Sequence, residues 1–294
     1  MTIGITGASG FLGGEMMRQA IDAGERVVAF SRNPDRKLPG AAEVRGFDLV
    51  GVPDFEGCDA VVHLAAESVV GLWTEKKMWA ILESRVQGTR AVVNGMLKAQ
   101  QRPKVLVCAS GVGFYGDTGE SCVDEGASLG RGFLSDVAEA WEAEATRAES
   151  VGIRVVRLRI AMVLGRGGGA LAAMLPIFRL GLGGKLGTGR QWMSWVHLHD
   201  VAALALAAVR DEGFNGAVNA CAPEPVRNAE FTMALGRAVN RPAIFWVPAF
   251  ALRLALRGFS AELLENRCVL PAKALDCGFT FAYPTLAKAL DASN

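Results

Sequence analysis

Seven residues near the N-terminus, Gly7-Ala8-Ser9-Gly10-Phe11-Leu12-Gly13, have the types and spacing to hold a pyrophosphate. Glycines three residues apart permit a tight turn and a close approach of backbone to phosphate oxygens. A helix starting there aims free N–H groups and the positive end of its dipole at them. The chain has 35 glycines, so the spacing GxxGxxG alone says little. Its place between a strand and a helix is what carries it, and Ser9, Phe11 and Leu12 are counted with the glycines as cofactor contacts. The second strand should choose the dinucleotide. An NAD site usually ends that strand on Asp or Glu, which accepts from the ribose 2′-hydroxyl. Here the chain reads Phe30-Ser31-Arg32-Asn33-Pro34, with no acid. Arg32 offers a planar fork of donors for a 2′-phosphate and Ser31 adds a hydroxyl, so NADP(H) is the expected cofactor.

Proton-handling groups are fewer. Ser110 and Tyr115 follow a strand over 105–108, at the end where ligands of parallel sheets bind, and are the candidates for catalysis. Glu67 follows another strand and should meet the cofactor's ribose or pair with Arg85. Arg85 is also a candidate for a substrate anion. The glycine-rich stretch 181–192 reads as a mobile lid over a small polar substrate, with Lys185, Arg190 and Gln191 reaching it and Trp192 a further candidate. His63, His197 and His199 read as structural. The six cysteines (58, 108, 122, 221, 268, 277) form no CxxC pair and no cluster with histidine. They are expected to be reduced and mostly buried, with neither a disulfide nor a metal site.

The elements that must position these groups alternate. Apolar runs at 2–6, 26–30, 59–64, 105–108 and 153–158 read as strands, while 11–23, 78–97 and 133–148 have helical spacing. Strands alternating with helices of this length make βαβ units and a parallel sheet. After about residue 220 six prolines break the chain into short pieces. The expected architecture is an α/β, doubly wound Rossmann domain over 1–220 with a smaller C-terminal α/β lobe over 221–294, to which 166–192 contributes. Net charge is +1 with 21% charged residues, which gives no reason to expect nucleic acid or a membrane surface as partner. No run of 18 apolar residues exists and the N-terminus lacks a basic stretch, so a cytoplasmic location is expected.

Further segments carry a resemblance. His63-Leu64-Ala65-Ala66, Ser110…Tyr115-Gly116 and Trp195-Val196-His197…Asp200-Val201-Ala202 resemble motifs of the extended short-chain dehydrogenase/reductases. More narrowly, Glu83-Ser84-Arg85-Val86-Gln87-Gly88-Thr89, Gly113-Phe114-Tyr115-Gly116-Asp117, Val163 to Ala170 and Gly189 to Trp195 resemble an atypical subgroup of "epimerase family" proteins, some labelled SulA-like. The resemblance covers nearly the whole chain. It implies a Rossmann core, an NADP(H) site that Leu64, Ala65 and Ala66 pass, and dimers through the helices at 74–101 and 132–150. In typical members a Tyr-x-x-x-Lys on the helix after the fifth strand transfers the proton. This chain has two tyrosines, and Gly119 and Ala287 stand four residues after them. Leu134 and Ala138, or Phe133 and Val137, occupy the family's two positions. Two readings follow: an NADP(H)-dependent oxidoreductase or epimerase-like enzyme of atypical mechanism, or a catalytically silent NADP(H)-binding sensor or scaffold.

Overall fold

A computed structural model describes residues 1–293. Seven parallel strands form the central sheet: β1 (Thr2–Thr6), β2 (Arg26–Ser31), β3 (Glu43–Gly46), β4 (Ala60–His63), β5 (Val105–Gly111), β7 (Arg154–Ile160) and β12 (Gly216–Ala220). Their order is β12-β7-β5-β4-β1-β2-β3, so the winding reverses between β1 and β4. Open α/β sheets bind ligands at the carboxyl ends of their strands beside such a reversal. Side chains of each strand alternate between two buried faces. Ile3, Ile5, Val27 and Ala29 lie in one apolar core with Met16 and Val201; Val28, Phe30, Leu106 and Cys108 lie in the other with Val92 and Trp141. Burial on both faces explains why these strands read as continuous apolar runs.

Helices α1 (Phe11–Asp22) and α5 (Leu198–Arg210) cover the first face, and α2 (Glu75–Lys98) and α3 (Phe133–Thr146) the second. Helix α2 starts at Thr74, whose hydroxyl accepts from the Lys77 amide at 3.2 Å, the usual threonine cap. The His197 ring caps α5 by accepting from the His199 amide.

The remaining elements form two-stranded pieces. Residues β6 (Cys122–Val123) pair with β15 (Cys268–Val269), and β8 (Met162–Leu164) with β11 (Trp195–His197). Likewise β9 (Gly184–Leu186) pairs with β14 (Phe245–Val247), and β10 (Trp192–Met193) with β13 (Val226–Arg227). Around them lie α4 (Gly169–Arg179), α6 (Asn228–Ala238), α7 (Ala249–Leu256), α8 (Phe259–Leu264), α9 (Ala272–Asp276) and α10 (Leu286–Ser293). Trp195, Phe178, Phe231 and Leu290 form the core of this region.

One expectation about the cysteines is corrected. Parallel pairing of β6 with β15 sets Cys122 opposite Cys268 at a Cα separation of 4.4 Å, and the two form a disulfide. They are 146 residues apart in sequence, so no spacing rule could pair them. Cys58, Cys108, Cys221 and Cys277 are free. Among the described residues no group of His, Cys, Asp or Glu could hold a metal ion, and no helix is long and apolar enough to cross a membrane.

Candidate functional site

The glycine loop joins β1 to α1 at the carboxyl edge of the sheet. Gly7 has φ +71°, and a Cβ on it would lie 2.9 Å from the Ala65 amide nitrogen. A Cβ on Gly13 would lie 2.0 Å from the Gly7 carbonyl oxygen, so α1 can approach the loop only without a side chain there. Gly10 caps α1 with no side chain, and no acid stands in the first turn. The opening amides of a twelve-residue helix are left for an anion. Phe11 faces outward from this turn into a second glycine stretch: Cβ atoms on Gly165, Gly168 and Gly169 would each come within 3 Å of its ring. That role for 165–169 was not read in the sequence.

Thr6 and His63 fix the strand ends beside the loop. The Thr6 hydroxyl oxygen accepts from the amides of Leu64 and Ala65 and lies 2.7 Å from His63 Nδ1. Burial, with Arg85 nearby, pushes the His63 ring down to a pKa of about 3, so it is neutral and structural, as the sequence suggested. Ser31 ends β2 and its hydroxyl accepts from the Asn33 amide at 3.2 Å. Arg32 beside it is exposed, with no ion pair or hydrogen bond among the described residues.

The candidates for proton transfer are placed differently from expectation. Tyr115 is 4% exposed; its hydroxyl donates to Asn219 Oδ1 at 2.7 Å and accepts from Arg159 Nη1 at 2.9 Å. Burial raises its pKa, against the pull of Arg159. Ser110 is equally buried and donates to Glu142 Oε1 at 2.8 Å. Arg159 grips both oxygens of Glu142, at 2.8 and 2.9 Å, and its guanidinium lies 3.4 Å from the centre of the Phe114 ring. Ser110 and Tyr115 are therefore joined in one buried network, in which each hydroxyl already donates to a protein acceptor. The sequence reading missed Glu142, Arg159 and Asn219. Charged residues on the inner face of α3 and on β7 were the available signal. Of the family's two positions, Ala138 is buried and Leu134 packs against Gly113.

The substrate candidates also change. Arg85 is buried, stacks 4.9 Å over Trp141, and donates to the backbone carbonyls of Glu67 and Ile81. Through Nη1 it braces the segment after β4. The Glu67 carboxylate is held by Lys77 at 2.6 Å, on the side chain's exposed rim. Gln191 is buried and donates to the carbonyls of Leu186 and Leu263. Trp192 carries the Arg227 guanidinium on its ring at 3.8 Å and belongs to β10. Residues 184–186 and 192–193 are strands paired with β14 and β13, so the expected loose lid is largely ordered structure. Lys185 and Arg190 keep exposed side chains, and the Arg190 backbone carbonyl accepts from Arg227.

The cradle at β1–α1, the reversal in strand order and the C-terminal lobe can be compared with known proteins. A model described as "NAD dependent epimerase/dehydratase family" matches residues 3–221. This chain belongs to that family. A second model, a domain of unknown function, matches residues 247–293 of this epimerase-family chain. An epimerase family protein of Bacillus subtilis, YfhF, is 36% identical, over 99% of this chain and 97% of its own. The chloroplastic SDR39U1 homolog of Arabidopsis thaliana is 35% identical, over 99% and 86%. The crystal structure of human epimerase family protein SDR39U1 with NADPH superposes with TM-score 0.92 at 32% identity, covering 100% of this chain and 99% of that one. A UDP-galactose 4-epimerase at 19% identity and TM-score 0.77 shares the fold.

Proposed function

We propose that this epimerase-family chain binds NADP(H) at the β1–α1 loop and acts as an atypical oxidoreductase or epimerase-like enzyme on a small molecule. The observation that carries the reading is the cradle itself. Gly7 and Gly13 let the loop close on α1 and on the Ala65 backbone where any Cβ would collide, the α1 amides are uncapped, and Arg32 stands unpaired where a 2′-phosphate needs a cation. The human relative was crystallised with NADPH, which supports the same cofactor here. A nicotinamide so held supplies or accepts a hydride. This chain's own residues bind and orient it: Thr6 fixes the Leu64–Ala65 backbone beside the loop, and Arg85 holds the carbonyl of Glu67.

The polar substrate expected from the sequence loses support, because Arg85 and Gln191 are spent on backbone carbonyls. Proton handling falls to water, since Tyr115 and Ser110 are committed elsewhere. That same commitment favours a second reading, a catalytically silent NADP(H)-binding sensor or scaffold. Incubation of the protein with NADPH and a panel of sugars, aldehydes and quinones separates the two. Consumption of NADPH, or conversion of a sugar into its epimer with the cofactor regenerated, above the protein-free rate establishes an enzyme. Tight NADPH binding with no turnover, and a partner retained only in its presence, establishes the sensor. Failure to bind NADPH removes both.

A further inference from the structure

Several exposed large apolar side chains of this protein, such as Trp79, Leu129 and Met233, stand singly, as on any protein surface. One group does not. Leu180, Leu182, Ile244, Trp246, Phe250 and Leu254 are each between 54% and 84% exposed, and they sit on adjoining backbone. The loop after α4 leads into β9, which pairs with β14; Phe245 donates to the Gly183 carbonyl and Arg241 Nε to the Arg179 carbonyl. Helix α7 starts two residues after β14 ends, and Phe250 and Leu254 lie one turn apart on it. The Trp246 indole N–H is already bonded to the Gly187 carbonyl at 2.6 Å, so its exposed ring offers apolar contact alone.

The charges around this face have one sign. Arg179, Lys185, Arg241, Arg253 and Arg257 are exposed, and none is in an ion pair among the described residues. Neither stretch that builds the face, residues 151–199 and 231–261, contains a single Asp or Glu. The net charge of +1 conceals this segregation, so the whole-chain balance pointed to no membrane partner.

We propose that this face docks on the surface of an anionic lipid bilayer, with the apolar side chains at headgroup depth and the guanidinium groups among the phosphates. Lipid surfaces ask for apolar side chains and cations and for nothing else. A second copy would bring one cationic rim against another. A protein interface also needs acceptors to fix its register, and this face has no carboxylate to offer. The inference is independent of the cofactor.

Co-sedimentation of the full chain with vesicles tests it, using phosphatidylcholine alone and phosphatidylcholine with one quarter phosphatidylglycerol. The chain is expected to pellet with the anionic vesicles and to leave them at high salt, where charge is screened. Arg253→Gln with Arg257→Gln should weaken the partition roughly 30-fold. Phe250→Ser with Leu254→Ser should weaken it at least about 10-fold. Both pairs are exposed, so the melting temperature should barely move, and either pair serves if the other fails to fold. Protein that stays in solution with both vesicle types overturns the proposal, as does binding indifferent to both pairs. Light scattering that shows a dimer dispersed by Phe250→Ser with Leu254→Ser overturns it too, and assigns the face to self-association.

Discussion

Tyr115, with Ser110, was one of two hydroxyls placed by sequence where a proton donor could stand, and its surroundings give it a structural task. Its oxygen is shared between Asn219 and Arg159, and Arg159 is in turn clamped on Glu142. Tyr115→Phe should therefore cost about 1–3 kcal/mol of stability, by leaving Asn219 and Arg159 short of a partner, while NADPH affinity stays unchanged. Urea unfolding and calorimetry on the same variant check both halves. Glu142→Gln goes further, because it strands a buried guanidinium, and should cost about 3–5 kcal/mol. His63 adds a pH dependence. Unfolded, it binds a proton near 6.5; folded, only near 3. The unfolded state thus holds the extra proton between those values, and stability is full above about pH 6.5 and falls as pH drops toward 3. At pH 5 the loss from this residue is about 2 kcal/mol. Unfolding curves at pH 7 and pH 5 should differ by at least that amount, and His63→Gln should flatten the difference even if it lowers both.

At the scale of elements, the seven-residue loop and its two neighbours were legible because sequence and function agree there. Gly13 is required by its contact with Gly7 within the loop, Gly7 by its positive φ and the Ala65 backbone, and the loop joins β1 to α1 without interruption. Gly13→Ala should abolish dinucleotide binding, since its Cβ would collide with the Gly7 carbonyl; fluorescence titration with NADPH checks this. Strands buried on both faces were legible too, as apolar runs. Residues β3, with its alternating exposed ends, and the two- and three-residue strands of the C-terminal region were not, because so few residues carry no period. The stretch 181–192 misled for a related reason. Its glycines suggested a lid, yet Gly183 and Gly184 are small because Phe178 and Phe245 pack on them. Ser110 and Tyr115 misled because a strand end predicts nearness to a ligand and says nothing of what else the hydroxyl bonds.

Across the whole molecule, contacts between distant segments are what the sequence could not announce. Cys122 meets Cys268 only because β6 and β15 pair, and the same region ties Ser194 and Thr118 to the backbone around 267–269. Peptide mapping without reductant should recover Cys122 joined to Cys268 and the other four thiols free; six alkylated cysteines would remove the cross-link. The strand, glycine loop and helix proposed to hold the cofactor, in contrast, are consecutive in sequence, and that order was legible. The central claim about the cofactor is a choice between dinucleotides made by Arg32, unpaired at the end of β2. Titration calorimetry of NADPH, NADP, NADH and NAD into wild type and Arg32→Ala tests that claim most directly. Preference for NADP(H) that falls about 10- to 100-fold in the variant, with NAD(H) affinity little changed, is the predicted result. A wild type that prefers NAD(H), or binds none of the four, contradicts it.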